Sequence, residues 1–409
     1  MIALSASDIN LSFGTDIILK DISFAINDGD RLGVIGVNGA GKTSLFKIIT
    51  GEYTPDSGAI YVQKGHTVGV LEQNADLSSL PQELSCIEYM YTAYPALLAL
   101  EGEIAKTEAA LTGATDPQEI MSLTSRLNEQ NSRFAAEGGL EFRSRCRGML
   151  LRLGFDEELI GRKIKTLSGG QYTRLALARL LATEPDILML DEPSNHLDID
   201  ALNWLECFIA GYKKTVIIIS HDRYFLDKTT NKTLWLRYGQ ARLYNGSYSR
   251  CKEQSDAEAA SLEKRYKEQQ KVIARIKANI EFQRRCNQEH NYVTIRAKEK
   301  QLARMELVEL APGDEKNIRV RFASEEESTG NVLEAKDLDF SYGERVLIKN
   351  LSFLIRRGER VMFLGANGTG KSTLMKLINS MLIPNRGKLT LGYNIKIGYY
   401  DQENRGLSD

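Results

Sequence analysis

Hydrophobic positions follow two patterns along this chain. Short β-branched and aliphatic runs at 31–35, 67–71, 187–190 and 216–219 have the length of strands and mark an α/β body. Helical segments lie between them. One opens after Gly41 and covers 44–49; another opens at Leu167 and is ended by Pro185. Residues 81–161 are rich in Ala, Leu, Glu and Arg and carry no strand pattern, which predicts a helical insertion into that body. Further on, Leu262, Tyr266, Gln269, Ile273, Ile276 and Ile280 alternate by four and three, a heptad-like seam with one polar member. As one helix, 262–285 is about 36 Å long. The polar stretch 286–292 breaks it. A second run, 295–310, carries Ile295, Leu302, Met305 and Val308 towards one side and ends before Pro312-Gly313. The pattern predicts an antiparallel helical hairpin projecting from the body, with its tip near 284–294.

The two sides of that hairpin repeat one another. Phe13, Gly36, Gly39, Gly41, Lys42, Gly58 and Gln73 recur 329 residues later as Tyr342, Gly365, Gly368, Gly370, Lys371, Gly387 and Gln402, with no insertion or deletion. This points to duplication of one domain. The expected organisation is a first copy over 1–245, a linker with the hairpin over 246–330, and the N-terminal part of a second copy over 331–409. The second copy is expected to be truncated, and the chain to be a portion of a longer protein.

Composition narrows the partners. The chain has 53 basic and 54 acidic side chains, so it has no overall pull on polyanions, and any nucleic-acid contact must be local. Its longest apolar runs are far short of the ~20 residues a membrane helix needs. No basic segment followed by an apolar core opens the chain, so no secretion signal is expected. Five widely spaced cysteines, none in C-x-x-C spacing, read as reduced thiols of a cytosolic protein.

The candidate chemistry lies at the ends of the strands. Gly36, Asn38, Gly39, Ala40, Gly41, Lys42 and Thr43 follow an apolar strand, and Ser44 continues into a helix. Strand, glycine-rich loop and helix in that order form a phosphate-binding loop. Its backbone N–H groups and helix start face negative charge, Lys42 adds a cation at the β- and γ-phosphates, and Thr43 offers a hydroxyl to magnesium. Gly365, Asn367, Gly368, Thr369, Gly370, Lys371, Ser372 and Thr373 repeat the arrangement. The strand at 187–190 ends in Asp191 and Glu192. Asp191 suits the outer shell of the magnesium, and Glu192 suits the base that orients or deprotonates the attacking water. His221 follows the next strand, and its residue type fits either a surface or core histidine or a γ-phosphate contact. Ser168 can cap a helix whose start carries Gly169, Gly170 and Gln171. This is a capped helix, or a second anion-binding helix start facing a nucleotide held elsewhere.

Phosphate loop, Gln73, Leu167-Ser168-Gly169-Gly170-Gln171, Asp191-Glu192 and His221, in that order, resemble an ATP-binding cassette (ABC) nucleotide-binding domain. Within that superfamily, the stretch from Glu192 through Pro193, Ser194 and Asn195 to Asp198, and the stretch from Ser220 to Leu226, look like the ABC-F family, which usually has Thr at the position of Ser194. The resemblance spans essentially the whole chain. It implies an α/β fold: an ABC-type P-loop NTPase cassette with a helical insertion, a helical hairpin linker and the beginning of a second cassette. ABC-F proteins are cytosolic ATPases of translation, and some confer antibiotic resistance. Carried over, Phe13 and Tyr342 stack on adenine. Gln73 and Gln402 approach Mg2+ and the attacking water, Ser372 repeats the metal role of Thr43, and Asp198 communicates across the cassette interface. Each ATP is sandwiched between one phosphate loop and the other cassette's Leu-Ser-Gly-Gly-Gln segment, within one chain or between two copies.

On that geometry neither site is complete within these residues, so the 409 residues alone are expected to bind ATP and hydrolyse it weakly. The resemblance also implies a partner, the ribosome, with the hairpin tip reaching rRNA and the P-site tRNA. From 262 to 310 there are 12 basic against 7 acidic residues, a local charge of +5. Arg284, Arg285, Arg296, Lys298 and Lys300 flank the tip, and His290 and Tyr292 could stack on exposed bases. Charge alone favours a solvated coiled coil with ordinary surface charges, and the resemblance turns the reading towards the ribosome. The tip is short where resistance-type members often extend it, which leans towards a general translation factor. A nucleotide-dependent binding module without turnover is the competing class. A transporter energy subunit is disfavoured by the fused cassettes and the charged hairpin.

Overall fold

The computed structural model describes residues 1–71, 81–195, 197–285, 291–305 and 330–399. Strands β1 (Ile2–Phe13), β2 (Asp16–Asn27) and β4 (Ser57–Val62) form an antiparallel sheet in the order β2-β1-β4. A second sheet has the order β5-β6-β7-β3-β8-β9, built from β5 (Val68–Leu71), β6 (Ile187–Asp191), β7 (Thr215–Ile219), β3 (Arg31–Ile35), β8 (Lys232–Arg237) and β9 (Gln240–Asn245). All its pairings are parallel except β8 with β9.

Strands β6 and β7 are buried throughout, because both faces of the sheet are covered. Successive side chains take opposite sides. Leu188, Leu190, Val216 and Ile218 join one core with helices α7 (Gly169–Thr183) and α8 (Ile199–Gly211). Ile187, Met189, Ile217 and Ile219 join the other with β1, β2 and α1 (Lys42–Thr50). The apolar runs read from the sequence are therefore the middle layer of the fold.

The segment expected to be a helical insertion folds as α2 (Cys86–Tyr91), α3 (Pro95–Gly113), α4 (Pro117–Ala136), α5 (Phe142–Arg152) and α6 (Glu157–Ile160). Asp156 and Asp116 cap two of these helices, and Pro occupies the first turn of α3 and α4. After β7, Asp222 caps the short helix α9 (Arg223–Thr229).

The hairpin differs in extent from the sequence reading. Its first helix, α10 (Tyr248–Arg285), begins 14 residues earlier than the seam indicates. Those first turns dock on the body through a face without aliphatic residues, on which Cys251 is fully buried and Ser255 nearly so. The partner helix α11 (Asn291–Ala303) starts inside the stretch expected to be a break. The seam holds where it is described, with Ile273, Ile280 and Ile295 buried. Val308 lies outside the described residues.

After the hairpin, β10 (Asn331–Tyr342), β11 (Arg345–Arg356) and β12 (Arg386–Leu391) repeat the antiparallel sheet in the order β11-β10-β12. The register is the same pair for pair at the offset of 329. Ile2 faces Asn27 and Asn331 faces Arg356; Leu4 faces Val62 and Leu333 faces Leu391. The bulges recur as well, with left-handed φ at Asp8 (48°) and Asp337 (46°). Gly58 and Gly387, at φ 88° and 85°, face those bulges so closely that a Cβ would sit 2.3 Å or 2.2 Å from a carbonyl oxygen. Helix α12 (Lys371–Ile378) stands where α1 stands in the first copy.

No helix among the described residues is long and apolar enough to cross a membrane. Cys86, Cys146, Cys207 and Cys251 are free thiols, with only Cys207 exposed. Burial pushes the Cys86 and Cys146 thiols up to about 11 and Cys251 up to about 12.

Candidate nucleotide-binding site

A cavity of about 700 Å³ opens where β3, β6 and β7 end side by side. Parallel strands deliver their C-terminal residues to one edge, so residues far apart in sequence meet there. The loop after β3 supplies Asn38, Gly39, Gly41, Lys42, Thr43 and Ser44. The ends of β6 and β7 supply Asp191, Glu192 and His221.

The loop is shaped by its glycines. Gly41 has φ 90°, and a Cβ there would meet Ile18 and Leu19 at 2.8 Å, so a side chain is excluded twice over. It leads into α1 with no side-chain cap, leaving the helix's first N–H groups to an anion. Lys42 is buried and its ammonium donates to the carbonyls of Gly36 (2.8 Å) and Val37 (3.1 Å). Burial lowers its pKa, while Glu192 and Asp191 work in the opposite direction.

The two carboxylates sit differently. The Thr43 hydroxyl donates to Asp191 Oδ2 at 3.3 Å, so the two oxygens expected around a divalent cation are already neighbours. Glu192 has a left-handed φ of 51°, fixed by its N–H donating to the Ile219 carbonyl at 2.9 Å. Its Oε2 accepts the His221 N–H at 3.4 Å, and its Oε1 is 3.7 Å from His221 Nε2. That Oε1 is buried without a hydrogen-bond partner. Burial raises the pKa of both carboxyls; Thr43 opposes this at Asp191, and the His221 N–H opposes it at Glu192. Glu192 lines the cavity, where its carboxylate can act as the base for a bound water. Thr43 and Asp191 fit Mg2+, a hard cation that takes oxygen ligands and completes its shell with phosphates and water.

Phe13 and Tyr342 stand at equivalent strand ends, each 51% exposed. Phe13 meets Tyr53 edge-on with ring centres 5.7 Å apart, and Tyr342 meets Phe340 at 4.9 Å. Ser168, Gly169, Gly170 and Gln171 do not line the cavity. They open α7 with a reciprocal cap in which the Ser168 N–H donates to Gln171 Oε1 at 2.9 Å and the Gln171 N–H donates to Ser168 Oγ at 3.4 Å. In the second loop, Lys371 donates to the carbonyls of Gly365 and Ala366, both at 2.7 Å, as Lys42 does in the first. Asp198 joins the two copies. Its Oδ1 caps α8 through the Ala201 N–H at 3.0 Å, and its Oδ2 accepts the Asn367 N–H at 3.4 Å. Gln73, Gln402 and His290 lie outside the described residues, as do the side chains of Arg285 and Tyr292.

Three lining residues, Ile18, Asn195 and Ile219, had no chemical role on the sequence alone. Ile18, near the start of β2, and Ile219, at the end of β7, are aliphatic strand residues with no chemical signature. Asn195 belongs to a turn closed by its own N–H donating to the Glu192 carbonyl at 3.1 Å, inside the stretch from Glu192 to Asp198 that carries the family resemblance.

A family model described as ABC transporter matches residues 19–195 and 348–407, and a second of the same description matches 234–322. YdiF of Bacillus subtilis (strain 168) is 37% identical over all of this chain and 63% of its own length. ABC transporter F family member 5 of Arabidopsis thaliana is 32% identical over 96% of this chain and 56% of its own. Energy-dependent translational throttle protein EttA of Mycobacterium tuberculosis (strain CDC 1551 / Oshkosh) is 32% identical over 96% of this chain and 68% of its own. The chain thus spans somewhat less than two thirds of the first two.

Proposed function

This chain belongs to the F branch of the ATP-binding cassette family, and from that membership we propose that it is an ATPase acting in translation. In this reading ATP binding gates insertion of the α10–α11 hairpin towards the P-site tRNA of the ribosome. The observation that carries it is the single cavity on which Lys42, Thr43, Asp191, Glu192 and His221 converge. Lys42 and the N–H groups of the loop hold the phosphates. Thr43 and Asp191 hold Mg2+, which when bound offsets the phosphate charge. Glu192 takes the proton of the attacking water, and His221 stands beside it at the γ-phosphate.

The contact from Asn367 to Asp198 supports pairing of a first cassette with a second around shared nucleotides. The domain limits 1–245, 246–330 and 331–409 belong to the same reading. The name of EttA, a translational throttle, supports the translation assignment, and the charged tip supports an RNA partner. Near the tip Arg284 pairs with Glu299 at 2.6 Å and Lys298 donates to Asn279 at 2.5 Å, which stiffens the hairpin.

Replacement Glu192→Gln keeps the shape and removes the base. ATP turnover is expected to fall by about 10²–10⁴-fold, and the variant should accumulate on ribosomes in ATP. Accumulation equal with and without ATP would remove the gating role. Unchanged turnover would remove Glu192 from catalysis.

A further inference from the structure

Helix α9 touches three functional elements through three residues. At its start Asp222, the residue after His221, accepts the N–H of Tyr224 at 2.9 Å and of Phe225 at 3.1 Å. The cap ties the backbone beside the γ-phosphate position to the helix as one hydrogen-bonded turn. One turn on, Lys228 donates to Glu206 at 2.9 Å, and Glu206 is buried on α8. Helix α8 is the one capped by Asp198, whose other oxygen takes the Asn367 N–H of the second phosphate loop. Next to Lys228 stands Asp227. Its Oδ1 accepts the Ser249 N–H at 2.7 Å and its Oδ2 accepts the Ser249 hydroxyl at 2.5 Å, both in the first turn of α10.

The start of α10 is thus seated on α9. Arg223 lies 5.5 Å from the centre of the Tyr248 ring, and Cys251 belongs to the same core as Phe225 and Leu226. Burial opposes the charge on Asp227, but hydrogen bonds from Ser249 and Ser247 outweigh it and hold the carboxyl below its usual range. An ionised carboxylate gripping a helix start through two directed bonds resists rotation, whereas apolar contacts allow sliding. Helix α10, gripped in its first turn, is 38 residues long. That is about 57 Å, so a turn of about 5° at its base moves its far end by about 5 Å.

We propose that α9 is the transmission element between the ATP loops and the hairpin, and that Asp227 is the positioning residue that sets the hairpin's angle. The inference rests on the ATP-gated hairpin reading above and adds the route by which the gate is driven. Asp222 carries the state of the first phosphate site into α9, Lys228 and Glu206 carry that of the second, and Asp227 passes both to Ser249.

The test uses the intact chain carrying Glu192→Gln, so that bound ATP persists, with spin labels at Lys64→Cys and Ala278→Cys. Cys207→Ser and Cys286→Ser remove competing labelling. With Asp227 in place, ATP is expected to change the distance between the labels. Asp227→Ala is expected to retain ATP binding and to weaken the ATP-dependent bias between hairpin positions about tenfold. Asp227→Asn, which keeps one acceptor oxygen, should restore part of it. Ser249→Ala provides the milder break if Asp227→Ala lowers the melting temperature. An ATP response in Asp227→Ala and Ser249→Ala equal to that of the parent overturns the transmission role and leaves the ATP-gated hairpin standing. No ATP response in the parent overturns the gated hairpin itself.

Discussion

The two copies of the cassette share their sequence pattern and part company in their structure. Over 1–62 and 331–391 the antiparallel sheet has the same register, the same bulges and the same glycine opposite the bulge. Residues 31–35 form β3, lying between β7 and β8 with Leu32 fully buried. Their counterparts at 360–364 form no strand, and Val361, Met362 and Leu364 are 50%, 79% and 71% exposed. The phosphate loops follow suit. Gly41 is pressed against Ile18 and Leu19, while at Gly370 the nearest atom to a Cβ is 3.5 Å away. The hairpins β1–β2 and β10–β11 are joined by short turns and specified locally, and β4 and β12 return to them within the same copy, Val62 to Leu4 and Leu391 to Leu333. A parallel strand exists only where distant segments come to flank it.

The comparison can be broken most decisively in the two β3 positions. Leu32→Ala should cost about 2–5 kcal/mol of unfolding free energy. The equivalent Val361→Ala, half exposed, should change it by less than about 0.5 kcal/mol. Denaturant titration of the two variants decides this, and equal losses would mean that 360–364 is packed like β3. A smaller effect is expected at the lysines. Lys42→Ala removes a buried cation from a site that also holds Asp191, Glu192 and His221, and ATP affinity at the tighter site should drop about 10- to 100-fold. Lys371→Ala should leave that tighter site unchanged in calorimetric titration.

The smallest effect is one of pH. Burial raises the Asp191 and Glu192 carboxyls in the folded chain. A raised folded-state pKa favours the fold fully below the unfolded value, and that contribution fades as pH climbs through the raised value. Without nucleotide, this pair should therefore lower the melting temperature, relative to a chain lacking both carboxyls, as pH rises above the ordinary carboxylate range of about 4. Asp191→Asn with Glu192→Gln is that chain, and a pH slope unchanged in the double variant would place its origin elsewhere. The acid limb of ATP turnover should likewise lie above the range of a free glutamate, because Glu192 must be charged to accept a proton.

Much of this was legible beforehand. The phosphate loop, the strand ending in Asp191 and Glu192, the Ser168 cap and the repeat at 329 each have a local signature, because glycine, proline and capping residues act over three or four positions. The seam of the hairpin was legible for the same reason. The start of α10 was not, since its buried face carries Cys251 and Ser255 in place of aliphatic residues and is held by Asp227. Ile18 and Ile219 carry no signature that separates cavity residues from ordinary strand residues.

The four apolar strands, the helical insertion, the duplication and the chemistry present at the strand ends were set out by the sequence; the two antiparallel sheets and their register emerged only with the structure. Tertiary structure alone decided which of those ends meet. It set Thr43 3.3 Å from Asp191, buried one oxygen of Glu192 without a donor, and passed Asp198 from its own helix cap to Asn367 of the other copy. These are contacts between residues 148 and 169 positions apart. They form only when a shared core brings the strands together, which no local preference encodes.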